Sequence, residues 1–281
     1  MTLGSVHSLW RYPVKSMGGE SLDSAMLSER GLHGDRIFAL VDRETVKVAS
    51  AKHPRLWGRL LDCTAALHST DPLVVQIMGA DGRTRLSSEP DVDQALSRII
   101  GRDVTLASVP LEGAETERDY PTVEGLPVSG MFFSAPIAGG APSGTFFDFA
   151  PVHLVTSATL GRLQSLASSA EIDSRRFRPN LVIDTADSVD GFVENDWVGT
   201  TIAIGDDVRL RVTDPTPRCV VPTLPQPGLA RDTGLLRLIA QHNRPPIPTL
   251  GGALWPSIGV YAVVEQGGTI QRDDLVRIIT G

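Results

Sequence analysis

The chain has 281 residues, 41% hydrophobic and 21% charged, the composition of an ordinary soluble globular protein with room for one large domain or two modest ones. A formal net charge of −7 argues against general nucleic-acid binding, and no apolar run approaches the ~18 residues of a membrane helix. The two cysteines, Cys63 and Cys219, lie too far apart to suggest a disulfide framework; with no signal-peptide pattern at the N-terminus, a reduced, cytoplasmic setting without membrane association is expected.

The first strand is expected over Val6–Lys15, with Pro13 turning its end. Ile37–Val41 has the continuous apolar character of a buried strand, and Val46–Ala49, Leu60–Leu67 and Leu73–Met78 follow as further strands. Gly79-Ala80-Asp81-Gly82 predicts a hairpin turn before Thr84–Leu86. Val92, Leu96, Ile99 and Ile100 share one helical face that Gly101 is placed to end, and Val104–Leu106 returns to strand. Residues 121–149 are rich in Gly, Pro, Ser and Phe without periodicity, a long connection packed by Phe132, Phe133, Phe146 and Phe147. The second half opens with the strand Val152–Val155, a helix capped by Thr156 or Ser157, and the strand Leu181–Ile183. Ile202, Ile204, Val208, Leu210 and Val212 alternate around Gly205-Asp206-Asp207, a hairpin whose second strand delivers Cys219. Asp232 caps a short helix carrying Leu235, Leu236 and Ile239, and strands over Ser257–Val264 and Thr269–Ile279 finish the chain. The expected fold is mainly β: two β-barrel-like domains at residues 1–115 and 151–281, joined by a linker at 116–150, with a few peripheral helices.

The chemistry gathers around Asp214-Pro215-Thr216-Pro217-Arg218-Cys219. A thiolate is a nucleophile and a soft metal ligand, and an adjacent guanidinium favours it. A small buried apolar role for Cys219 is the alternative. Lys15, Arg36, Arg175, Arg176, Arg178 and Arg218 sit at strand ends or turns, which suits an anion pocket; otherwise they are surface charges paired with Asp and Glu. Only three of the 26 basic residues are lysines, and Lys15 stands out for having been kept. Thr156 and Ser157 offer hydroxyls and helix N-terminal amides, and Asn180 an amide able to read a heterocycle edge. His33 and His153 read as structural. Gly-rich phosphate loops, paired-cysteine metal spacings and nucleophile elbows are absent.

Leu9–Ser16, Gly34-Asp35-Arg36, Phe177–Ile183 and Pro217-Arg218-Cys219 together resemble MOSC-domain proteins with an N-terminal MOSC β-barrel, the group that includes the mitochondrial amidoxime-reducing component. The resemblance implies a molybdenum cofactor between the two domains, its metal held by two pterin dithiolene sulfurs and Cys219. It further implies cofactor contacts from Lys15, Ser16, Arg36, Thr156, Ser157, Arg178, Asn180 and Arg218. The implied activity is oxidoreduction, the reduction of small N-hydroxylated compounds by oxygen-atom transfer. No cysteine follows Cys219, so a separate electron donor, a ferredoxin or flavoprotein reductase, is expected. Val220–Pro227 departs from the Thr-x-Asp-Pro run common in the family, so the substrate-facing loop differs. Sulfur transfer through a Cys219 persulfide and a non-catalytic cofactor carrier are the alternatives. Pyridoxal phosphate would need Lys15, Lys47 or Lys52 as a Schiff-base lysine, and none has a persuasive context.

Overall fold

Seven strands close into a barrel in the computed structural model, which describes residues 1–167 and 171–279. They are β1 (Thr2–Arg11), β2 (Val152–Thr156), β3 (Leu181–Asp184), β4 (Thr201–Ile204), β5 (Val208–Pro217), β6 (Ser257–Gln266) and β7 (Leu275–Ile279). The order around the barrel is β1-β3-β2-β6-β5-β4-β7, and β7 pairs back onto β1. Neighbours are antiparallel except β2 and β3, whose parallel pairing needs a crossover. The strands close because their apolar residues alternate: Val208, Leu210 and Val212 of β5 point into the core while Arg211 faces water. The predicted hairpin forms as expected, with Ile204 opposite Val208.

Helices α1 (Val92–Ile100), α2 (Ser157–Leu166) and α3 (Leu235–His242) flank the sheets. Gly101 ends α1 in the left-handed region, at φ 83°, and donates its N–H to Ser97 O. Helix α2 lies in the β2–β3 crossover. Before the barrel's second strand, the chain builds smaller sheets. Thr64–Thr70, Leu73–Met78 and Thr84–Leu86 form one, and Ala39–Asp42 pairs with Val104–Ala107. These pack on a second core that includes Val14, Met17, Leu40, Trp57, Ile77 and Leu96. Ser24–Ser28 pairs with Gly268–Gln271 from the far end of the chain.

The first strand is the hinge of the architecture. Sequence alone groups it with the N-terminal half, yet it is hydrogen-bonded inside the barrel, to β3 and β7. Immediately after it, Val14 and Met17 drop into the other core. Residues 12–18 therefore cross from one core to the other, which brings Lys15 and Ser16 to the junction.

Three local expectations are corrected. Val46–Ala49 is not a strand: Asp42 Oδ1 accepts from Glu44 N, a local turn that competes with extended pairing, and Val48 keeps a single bridge to Val41. Gly58–Asp62 is a 3₁₀ turn, and the following strand starts at Thr64. Within the 116–150 connection, Glu115–Asp119 and Phe132–Pro136 form a β-hairpin. Phe146 and Phe147 are buried as expected, but Phe132 is 56% exposed and only meets His53 edge-on.

Gly259 in β6 lies at φ 73°, and a Cβ there would sit 2.2 Å from Leu154 O and 2.6 Å from His153 Nε2. Neither neighbour is free to retreat, since His153 is buried and hydrogen-bonded. Gly259→Ala is expected to destabilise the chain by more than about 1 kcal/mol, the conformational penalty alone, read as a lower urea midpoint.

Candidate functional site

A cavity of about 250 Å³ opens where the two cores meet. Strand β5 brings Cys219 to it through a segment with two register shifts, between Val212 and Asp214 and between Pro215 and Pro217. Such bulges re-aim side chains at the end of a strand. Arg218 is buried and fully engaged. Its Nε donates to Thr216 O at 3.0 Å, Nη1 to Phe177 O at 3.0 Å, and Nη2 to His153 Nε2 at 2.9 Å. A guanidinium can only donate, so that last bond makes His153 Nε2 an acceptor and leaves its 3.2 Å approach to Ile258 O without a hydrogen. Burial and the Arg218 charge hold the ring well below the usual histidine range, so it is neutral. Arg218 thus fixes the turn that presents Cys219, beyond any direct effect on the thiol.

A second group grows from Tyr12. Arg36 and Arg178 both stack on its ring, 4.3 and 4.4 Å from the centroid. Buried Asp35 balances them. It pairs with Arg36 Nη1, accepts from Tyr12 N at 2.6 Å and accepts from Asn180 Nδ2 at 3.0 Å. Burial pushes the Tyr12 hydroxyl up to about 12, against the two arginines. Ser16, Arg36 and Arg178 all have φ between 49° and 65° and all line the cavity. Non-glycine residues in this region are strained, and strain of this kind clusters at ligand sites.

Third, Lys15 Nζ is buried and donates to Phe146 O at 2.8 Å and Asp148 Oδ1 at 2.7 Å. Lys52 Nζ reaches the same carboxyl oxygen at 3.1 Å. Burial opposes ionisation of Asp148, but Lys15, Lys52 and Arg118 overcome it and hold its carboxyl well below the usual range. Burial pushes Lys15 from the ordinary 10.5 down to about 8, with Asp148 resisting and Lys52 reinforcing. The ligand-free chain is therefore expected to lose affinity for inorganic phosphate as pH rises through about 8, while Lys15→Met binds weakly with no such step; titration calorimetry across pH reads both. The unfolded chain keeps this proton to higher pH, so the Lys15 contribution to stability rises between about 8 and 10.5.

Two family models divide the sequence. The MOSC domain matches residues 141–277, and the MOSC N-terminal beta barrel domain matches residues 3–107. The chain belongs to the MOSC family. Among curated relatives, human mitochondrial amidoxime reducing component 2 is 23% identical over 302 residues, covering 98% of this chain and 83% of its own length. Human mitochondrial amidoxime-reducing component 1 is 24% identical, covering 99% and 83%. Among solved structures, the YUAD protein from Bacillus subtilis aligns with a TM-score of 0.44 at 11% identity, covering 98% of this chain and 94% of that one.

In this MOSC chain the cavity wall includes Cys219, Lys15, Ser16, Arg36, Arg178, Asn180 and Arg218 from the sequence reading. Thr156 and Ser157 are elsewhere. Thr156 Oγ1 accepts from Thr159 N as the N-cap of α2 and donates to buried Glu194, while Ser157 bonds Thr185. The cap was correctly anticipated, but the start of α2 is satisfied by the protein itself. Asn180 lines the cavity with its amide already engaged: Oδ1 accepts from His153 N, and Nδ2 donates to Trp10 O and Asp35. It knits the two halves together and leaves no amide hydrogen to read a heterocycle. Arg175 is absent from the wall and pairs with Asp173.

The sequence reading missed Lys52, Arg118, Tyr120, Asp148 and Tyr261, which also line the cavity. Lys52 was findable, since the scarcity of lysine applies to it as much as to Lys15. Arg118 and Tyr120 ride on the connection's hairpin, which carries no periodic signal. Burial pushes Tyr120 up to about 12, and the nearby Cys219 adds to the shift.

Proposed function

We propose that the chain is a molybdenum cofactor-dependent oxidoreductase that reduces small N-hydroxylated compounds, drawing electrons from a separate ferredoxin or flavoprotein reductase. The observation that carries the reading is one cavity wall holding a single soft ligand, Cys219, together with a cationic set of Lys15, Lys52, Arg36, Arg118 and Arg178. No cluster of three or more His, Cys, Asp or Glu able to hold a bare metal occurs among the described residues. A metal at Cys219 would have to bring its other ligands with it, as a pterin dithiolene does. The wall also fits a polar guest. Arg118, Asp214 and Thr216 line it, and their buried Nε, Oδ2 and Oγ1 have no hydrogen-bond partners, which native proteins rarely allow.

When bound, the cofactor supplies oxygen-atom transfer coupled to two-electron redox cycling. The chain supplies the rest. Cys219 would ligate the metal, and Lys15, Lys52 and Arg118 would hold the pterin phosphate, relieving their dependence on Asp148. Phe149 and Tyr261, 5.5 Å apart between ring centroids, give the cavity an aromatic side. The curated relatives are named as amidoxime-reducing components, which supports an N-hydroxylated substrate.

The test is molybdenum and pterin content after expression in a cofactor-competent host, followed by benzamidoxime reduction with reduced methyl viologen as donor. Near-stoichiometric metal with turnover is expected. Protein without metal, carrying a sulfur adduct on Cys219 by intact mass, would replace this reading with persulfide transfer.

A further inference from the structure

Two carboxyl groups line the cavity, Asp148 and Asp214, and they differ in what they have left to offer. Asp148 is engaged by two lysines. Asp214 is fully buried. Its Oδ1 accepts from Thr249 N at 2.9 Å and from Thr249 Oγ1 at 2.8 Å, which anchors the 248–250 turn to β5. Its Oδ2 has no hydrogen-bond partner. Two residues along the same strand, Thr216 is 2% exposed and its Oγ1 is likewise unpartnered. Both residues line the cavity, on a stretch of β5 whose register shifts between Val212 and Asp214 and between Pro215 and Pro217. Asp214 Oδ2 and Thr216 Oγ1 are thus an unpaired acceptor and an unpaired hydroxyl, both sealed from water, and a buried acceptor left unpaired is costly.

We propose that Asp214 Oδ2, with Thr216 Oγ1, receives the N–H groups of a planar amidine-type edge, and so selects ligands that carry an amino group where close analogues carry an oxygen. Two sources offer that edge. One is a substrate amidoxime, with its C–NH2 beside the N-hydroxyl; the other is the cyclic guanidine edge of the pterin. The inference rests on the cavity being the ligand site proposed above.

Asp214→Asn separates the possibilities because Thr249 dictates its orientation. The two Thr249 donors hold the amide oxygen where Oδ1 was, so the amide NH2 replaces Oδ2 and an acceptor becomes a donor. Binding to the full chain, prepared without cofactor, is measured by ligand-observed NMR for two matched pairs. Benzamidoxime is compared with benzhydroxamic acid, which has oxygen in place of the amino group. Pterin is compared with lumazine, which differs in the same way. Wild-type protein is expected to prefer the amino member of a pair, and Asp214→Asn to lose that preference by at least about tenfold or to invert it. Inversion in the first pair identifies the substrate as the source, and inversion in the second identifies the cofactor. Unchanged preferences in both pairs would overturn the proposal. So would Thr249→Val reproducing the effect of Asp214→Asn, which would reduce Asp214 to an anchor for the turn. Wild-type protein that carries molybdenum while Asp214→Asn keeps both preferences would sink this inference alone; wild-type protein without molybdenum would sink the functional reading.

Discussion

Cys219→Ala is expected to abolish molybdenum retention, lowering metal affinity by at least about 10²-fold, because changes merely to the partners of metal ligands already cost 10- to 100-fold. Cys219→Ser should fare no better, since a hydroxyl is a hard donor where a soft one is required. The fold should survive both. Cys219 is only partly buried, at the margin of the small cluster around Tyr120, Leu126 and Leu236, so removing its sulfur should cost no more than about 1 kcal/mol. Cofactor-free wild type and variant should therefore unfold at nearly the same urea concentration while differing in metal content. Cys63 is the internal control. It is fully buried in the other core, and burial pushes its thiol up, away from the thiolate. Cys63→Ala should keep its metal. Full metal and full activity in Cys219→Ala would remove the central claim.

The largest effect on stability is expected at Asp35. Asp35→Ala should destabilise the chain by about 3–5 kcal/mol, the cost of stripping one partner from a buried ion pair. The carboxyl is fully buried and Arg36 nearly so. Its removal leaves Tyr12 N and one Asn180 Nδ2 hydrogen without their acceptor, and two guanidinium groups on one tyrosine ring without a counter-charge. Burial and Arg36 already push Arg178 down to about 10 with Asp35 in place. Asp35→Asn should cost less, since it keeps an acceptor and the volume. Urea titrations with a shared slope would measure the difference. An Asp35→Ala chain within about 1 kcal/mol of wild type would show that the arginines relax into solvent, and that the Tyr12 stack is not a fixed part of the site.

What could be read from sequence was what local periodicity encodes. Helix α1 and the hairpin carrying Cys219 appear where alternation and a closing glycine place them. The MOSC motifs located Lys15, Arg36, Arg178, Arg218 and Cys219, each on the cavity wall. Three things escaped because their causes are distant in sequence. The partners of β1 lie near both residue 184 and residue 277. The satisfaction of Thr156 depends on Glu194, 38 residues away. The cations Lys52 and Arg118 reach the site only once the aperiodic connection has folded back and placed Asp148 between them and Lys15. Asn180 shows a subtler limit. Its position was legible, but whether its amide was free depended on Asp35 and Trp10 being within reach.

The pairing of β1 with β7 has a consequence for synthesis. Strand β1, at Thr2–Arg11, is made before the other six barrel strands and finds its two barrel neighbours only after residues 181–184 and 275–279 have been made. Contacts of such long sequence separation are slow to form and leave strand edges open in the meantime. The smaller sheets around Leu40 and Ile77, whose strands all lie within residues 39–107, are free to settle early. The cleft at the foot of β1 is therefore completed last, and a nascent chain short of Leu275 holds Lys15 and Arg36 without the barrel that closes their cavity.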